Sequence, residues 1–227
     1  MIPSSTGIKR SSTFAGQSIE MSIDTNSLAH IMSVLTNLYS DPEMAVLREY
    51  SCNARDSHLA VGQTRPIEIT LPSNFDQCLV IEDFGLGLSI DDITDIYSRY
   101  GASTKRGTND QTGMLGLGSK SALTYATQFT MTAVKDGVRS EVLISVKVDG
   151  SGKMEVMDTV TTTEGNGVRI TIPTKPANDF TDKARKFFQY WADGTVLVNG
   201  EQPETIGELT DIGDGMYLTD TVRSWQT

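Results

Sequence analysis

Basic side chains are in short supply: 19 Lys and Arg stand against 29 Asp and Glu, for a formal net charge of -10. Such a chain is a poor non-specific binder of nucleic acid or of anionic membrane. Cysteine is scarcer, with only Cys52 and Cys78, at no metal-like spacing. That excludes a disulfide framework and points to a reduced, cytosolic protein. No apolar run approaches the ~20 residues that span a bilayer. The opening MIPSSTGIKRSSTFAGQS lacks the apolar core of a signal peptide and reads, over residues 1–17, as a flexible Ser-rich lead-in. The apolar share is 38% of 227 residues, enough for one sizeable domain and the start of a second.

The most informative stretch is Ala45 to Ala60, AVLREYSCNARDSHLA. Glu49, Asn53 and Asp56 stand at i, i+4 and i+7, which on a helix puts three polar side chains in one row. Val46 and Ala60 extend that row. A neighbouring row, Leu47, Tyr50, Ala54, His58 and Val61, is mostly apolar. Both rows call for burial, and burying polar groups costs free energy unless they find partners. The row therefore expects side chains, or a ligand with a metal. A solvated helix face is the plainer reading of the row taken alone.

Upstream, Ser18–Ile23 alternates as a strand, and Asp24 or Thr25 caps a helix running to about Tyr39. Asp41-Pro42 breaks the chain and starts the central helix, which ends near Gly62. Ile67–Leu71 and Cys78–Asp83 read as strands around a turn at Pro72–Gln77. Leu79, Ile81 and Asp83 share one face of the second strand, so Asp83 points where the apolar residues point. An Asp before Phe84-Gly85-Leu86-Gly87 can also do no more than close a turn. Asp91–Arg99 reads as a helix with Ile93, Ile96 and Tyr97 inward.

Gly101–Thr112 is polar and without period, which in a compact domain marks a functional or disordered loop. Gly113-Met114-Leu115-Gly116-Leu117-Gly118-Ser119-Lys120 then opens a helix. Free N–H groups and the positive dipole end of such a start favour an anion, and Lys105, Arg106 and Lys120 add charge suited to phosphate. A plain glycine turn remains open. From Gln128 a four-strand meander reaches Pro173, with turns at Asp136-Gly137 and Asp149-Gly150-Ser151-Gly152. The second turn has a faint calcium-loop pattern, against which Lys153 and the missing later carboxylates argue. After a linker at Pro173–Asn178, Phe180, Ala184, Phe187, Phe188 and Trp191 stripe a helix. Thr195–Val198 is a strand, and Asn199-Gly200 a turn. The acidic remainder is too short for a core of its own.

Three signals thus stand in order: the helix with Glu49, Asn53 and Asp56; the strand ending Asp83-x-Gly85-x-Gly87; and Gly113-x-x-Gly116-x-Gly118 at a helix start. Over roughly Ser18 to Pro173 this order resembles the ATPase superfamily of gyrase, heat-shock chaperone, histidine kinase and MutL. Arg48-Glu49 with Asp56-Ser57-His58, Glu82 to Ser89, and Gly116 to Ser121 resemble more narrowly the N-terminal domain of the phage rapid-lysis protein A (rIIA-like) family. The likeness extends to Phe187–Trp191 and Val196–Gly200. The resemblance implies an α+β two-layer sandwich, the Bergerat fold, with helices on one face of a mixed, mostly antiparallel sheet. It divides the chain into an ATP-binding domain at 18–173 and a helix-and-hairpin extension at 174–227, the possible beginning of a second domain.

The resemblance also implies roles. Glu49 is the general base, Asn53 the Mg²⁺ ligand, and Asp83 the acceptor for the adenine amino group. Asn53, Asp56, Gly85, Gly87, Leu88, Thr104, Lys105, Gly113, Met114, Leu115, Gly116, Leu117, Gly118, Ser119, Lys120 and Val168 complete the ATP site. At Val168 many members carry a Thr that helps bind adenine, so one hydroxyl contact is missing. A like-placed Arg restrains the Glu in heat-shock chaperones, and Arg48 implies the same. The activity implied is Mg²⁺-dependent ATP binding and slow hydrolysis, working as a switch through a lid at about Arg99–Thr112 and a nucleotide-dependent homodimer. The setting implied is the cytoplasm of an infected bacterium, at most peripheral to its membrane. An alternative is a nucleotide-gated protein-binding module without turnover. A histidine kinase would need a phosphoacceptor helix, and His30 lacks the charged neighbours of one.

Overall fold

In the computed structural model the described residues are 40–98, 118–147, 152–206, 209–213 and 216–219. The expected strand at Ser18–Ile23, the helix to Tyr39, the polar loop Gly101–Thr112 and the turn at Asp149 lie outside them. Helix α1 (Pro42–Val61) starts where Asp41 caps it: the Asp41 carboxylate accepts the Met44 N–H at 3.0 Å, and Pro42 fills the first turn. It ends at Gly62. Leu47, Tyr50, Ala54 and His58 are buried as one stripe, whereas Val61 is exposed at the end of it.

The strands β1 (Ile67–Thr70), β2 (Cys78–Asp83), β3 (Gln128–Lys135), β4 (Val138–Val146), β5 (Gly152–Thr161), β6 (Gly167–Pro173) and β7 (Val196–Val198) form one seven-stranded sheet in the order β5-β4-β3-β6-β2-β1-β7. Every pairing is antiparallel except β1 with β7. Register sets the core. Ile69, Ile81, Ile170, Met131 and Val142 stand opposite one another as a row across five strands, all buried. Each such side chain contributes about 1.5–3 kcal/mol on burial. The next row runs Asp83, Val168, Ala133 and Ser140. Asp83 is therefore carried to the core face by the same two-residue period that buries Leu79 and Ile81.

Helices α2 (Ile90–Ser98), α3 (Ala122–Tyr125) and α4 (Phe180–Phe188) complete the second layer with α1. The fold is thus α+β, a mostly antiparallel mixed sheet covered by helices. Ser89 and Asp92 cap α2 reciprocally, Ser89 N–H and Oγ–H donating to Asp92 Oδ2 at 2.9 and 2.7 Å. α4 buries Phe180, Ala184 and Phe188 in the same core as α1. Lys183 donates to both Asp41 and Glu43 at 2.8 Å, tying α4 to the start of α1.

Three details differ from the sequence reading. The helix expected from Ser119 is a 3-10 turn at Gly118–Lys120 followed by the four-residue α3. β7 lies parallel to β1 at the sheet edge, a long-range pairing that no local pattern encodes. The acidic C-terminal stretch contains an antiparallel pair, β8 (Leu209–Gly213) and β9 (Met216–Thr219), interrupted by a register shift.

Candidate functional site

Helix α1 is the spine of the site. Val46 at the head of its polar row is buried, Glu49, Asn53 and Asp56 are half-buried, and Ala60 at the far end is exposed. Two loops meet this helix at different heights. At the Glu49 end Gly118 comes so close that a Cβ on it would meet Glu49 Oε2, and the carboxylate would have to swing aside. Tyr50 holds the same loop by donating its hydroxyl to the Ser119 carbonyl at 2.7 Å. Among the described residues the Ser119 hydroxyl, itself buried, has no hydrogen-bond partner. Glu49 pairs with Arg48 at 3.1 Å across an exposed edge of the helix.

Two turns further along, Ser57 faces the end of β2. Its hydroxyl donates to Asp83 Oδ1 at 3.3 Å and accepts the Leu86 N–H at 2.8 Å. Asp83 Oδ1 also accepts the Gly85 N–H at 3.0 Å. The helix backbone at Ser57 lies so near Gly85 that any side chain there would strike it. Gly87 has φ +69, the left-handed region, and faces the Val134 carbonyl. Leu88 is half-buried against the core, and Val168 sits opposite Asp83 in β6, also against the core. From Glu49 to Ser57 the helix rises roughly 12 Å.

Charge at the two ends is set by burial. Asp83 is 7% exposed, and burial pushes its carboxyl up to about 6 against the help of the Gly85 N–H and the Ser57 hydroxyl. Lys120 is 4% exposed, and burial brings its ammonium down to about 8. Its Nζ donates to the Ile96 carbonyl near the end of α2 at 2.9 Å, a favourable place for a cation. Cys52, on the same side of α1, is raised by burial and then by the carboxylates of Glu49 and Asp56.

Glu49, Asn53, Asp56, Asp83, Gly85, Gly87, Leu88, Gly118, Ser119, Lys120 and Val168 thus lie along one side of α1 and the strand ends facing it. Thr104, Lys105, Gly113, Met114, Leu115, Gly116 and Leu117 lie outside the described residues. Ser57, which stands in the sequence only as part of the Asp56-Ser57-His58 motif, makes two hydrogen bonds, to Asp83 and to Leu86, that local pattern does not display. The signal was its place one residue past Asp56, toward the strand. Among the described residues no three His, Cys, Asp or Glu side chains converge to hold a metal ion. A divalent cation here would take Asn53 as its protein ligand and draw the rest from ligand oxygens and water, an arrangement that fits magnesium.

Residues 39–172 match a family model described as "Histidine kinase-, DNA gyrase B-, and HSP90-like ATPase". Among solved structures, the ATPase region of Saccharomyces cerevisiae topoisomerase II is similar with a TM-score of 0.56 at 14% identity, over 69% of this chain and 47% of that one. The ATPase and transducer domains of DNA topoisomerase II from Balamuthia mandrillaris give 0.56 at 17% identity, over 71% and 48%. At such identities the likeness is one of fold, and this chain spans about half the length of those proteins. No curated protein sequence matches.

Proposed function

The chain belongs to the histidine kinase-, DNA gyrase B- and HSP90-like ATPase family, and from that premise we propose that it binds ATP with Mg²⁺ and hydrolyses it slowly, as a conformational switch. One observation carries the reading: α1 brings Glu49 against Gly118 at one height and Ser57, Asp83 and Gly85 together at another. That is a site with a carboxylate at its phosphate end and a buried acceptor at its base end.

The base end comprises Asp83, Gly85, Gly87, Leu88 and Val168. Asp83 accepts from the adenine amino group through the oxygen that Ser57 and Gly85 do not hold. Val168 and Leu88 give the ring an apolar wall, without a hydroxyl. Asp56 and Asn53 line the middle. At the other end Gly118, Ser119 and Lys120 continue the glycine loop of Gly113, Met114, Leu115, Gly116 and Leu117 around the phosphates, with Thr104 and Lys105 as further contacts. The buried Ser119 hydroxyl, without a partner among the described residues, suits a phosphate oxygen. A bound divalent cation would be held by Asn53 and would neutralise charge on the phosphates. Glu49 holds the attacking water and takes its proton, while the chain supplies positioning and electrostatics for the rest.

Turnover of ATP, with and without Mg²⁺, in the wild type and in Glu49→Ala tests this. The substitution keeps ATP binding and lowers turnover by a factor of about 10² or more. Hydrolysis by Glu49→Ala at the wild-type rate would refute the assignment. The Arg48–Glu49 pair favours a second reading, a nucleotide-gated protein-binding module whose base is held out of action. Wild-type ATP binding without turnover would select it. The finer setting is the one the rapid-lysis resemblance implies, a role inside an infected bacterium, and the superfamily resemblance adds a nucleotide-dependent homodimer, which sedimentation with and without a non-hydrolysable ATP analogue tests.

A further inference from the structure

We propose that His58 is the positioning residue of the base-recognition turn: its neutral imidazole, by accepting the Phe84 N–H, sets the peptide plane from which Asp83 is aimed. The proposal rests on the functional reading above and adds a residue that reading does not use.

His58 sits on the buried stripe of α1, 6% exposed, and the Phe84 N–H donates to its Nε2 at 2.8 Å. An imidazole accepts at Nε2 only when that nitrogen bears a lone pair, so the ring proton is on Nδ1. The backbone of Arg65 supplies the matching hydrogen bond to the ring. The Phe84 amide nitrogen lies in one plane with the Asp83 carbonyl. That carbonyl is packed against Gly167, where a Cβ would collide with it. The far side of the residue is held too: Gln63 Nε2 donates to the Phe84 carbonyl at 2.8 Å, and the Arg65 guanidinium lies 3.3 Å above the Phe84 ring. Asp83 is thus flanked by a peptide clasped from the last turn of α1, while Ser57 holds its carboxylate.

The clasp is sensitive to protons by construction. A proton on Nε2 would set a donor against the Phe84 donor, and the bond would be lost. Of the charged groups nearby, the Arg65 guanidinium opposes that proton. Glu68 is drawn onto Arg65 at 2.9 Å, and Glu82 onto Arg169 at 3.0 Å. The Asp83 carboxylate is engaged by Ser57 and the Gly85 N–H. Burial lowers the His58 pKa below its ordinary value, so the clasp is closed at neutral pH and opens only on acidification.

Three forms of the full chain test this: wild type, His58→Gln, whose amide oxygen accepts without titrating, and His58→Leu, which cannot accept. Calorimetric titration with ADP and Mg²⁺ between pH 5 and 8 is combined with ¹⁵N NMR of the imidazole. At pH 7.5 His58→Gln binds within about threefold of wild type, and His58→Leu at least about tenfold more weakly, since a buried N–H is left unpaired. Wild-type affinity falls more steeply below pH 6.5 than that of His58→Gln, which retains only the Asp83 titration. The spectrum shows Nε2 as the unprotonated nitrogen. Wild-type affinity in His58→Leu, coincident pH profiles for wild type and His58→Gln, or a protonated Nε2 at pH 7.5 would overturn the proposal. If His58→Leu does not fold, the other two measurements decide. If the wild type binds no nucleotide, the functional reading fails, and the ring tautomer and Phe84 amide exchange in the free chain still decide whether the clasp exists.

Discussion

A buried carboxylate seldom serves stability, and Asp83 is the clearest case among the described residues. Its pKa of about 6 against an ordinary 3.8 means that the folded state disfavours the charged form. Between pH 6 and 4 the folded chain takes a proton that the unfolded chain still refuses, so this position's contribution to stability rises as pH falls through that window. At pH 7 the charge costs on the order of 2–3 kcal/mol. Asp83→Asn keeps an oxygen for Ser57 and Gly85 and removes the charge. It is expected to raise the melting temperature at pH 7, flatten the acid-side pH dependence of stability, and abolish most ATP affinity. Calorimetric scans and titrations on the same sample check all three. Arg48 is a residue of the opposite kind, exposed and, among the described residues, paired with Glu49. Such a pair contributes little to stability, so Arg48→Ala leaves the melting temperature within about 1 °C. If Arg48 restrains the base, steady-state hydrolysis rises severalfold in the same variant, and an unchanged or lower rate would remove Arg48 from the regulation of Glu49.

At the scale of elements, the site is one helix read by two loops, and each loop has its own grip. The Tyr50 hydroxyl on the Ser119 carbonyl is the grip at the phosphate end. Tyr50→Phe should cost about 1 kcal/mol of stability and weaken ATP binding more than AMP binding, as parallel titrations with the two nucleotides would reveal. Much of this arrangement was legible beforehand. The two-residue period of Leu79, Ile81 and Asp83 and the helical spacing of Glu49, Asn53 and Asp56 are local, and local spacing is what a sequence displays. The mostly apolar row that contains His58 calls for burial, and His58 is buried. Its acceptor role depends on where the Phe84 amide arrives from 26 residues away. The shortened helix after Lys120 was likewise hidden. Gly118 lies against the Glu49 carboxylate and Lys120 reaches the Ile96 carbonyl, and both partners are remote in sequence. The parallel pairing of β7 with β1 escaped for the same reason.

On the scale of the whole molecule, the segment after Pro173 is part of what holds α1 in place. Phe180, Ala184, Phe188 and Val196 belong to the same buried core, and Lys183 bridges Asp41 and Glu43. A chain ending at Pro173 would expose the side of α1 that these residues cover and the edge of β1 that β7 occupies. We expect it to lose cooperative unfolding, measurable by circular dichroism against the full chain. α1 is therefore tethered at both extremities: Lys183 of α4 grips its first turn, and Phe84 and Gln63 are bonded at its last. On the function proposed above, nucleotide seated in the turn at Asp83 is expected to slow hydrogen exchange in α4 as well as in α1, because the two helices share these contacts; exchange in α4 unchanged by nucleotide would show the two ends to be independent.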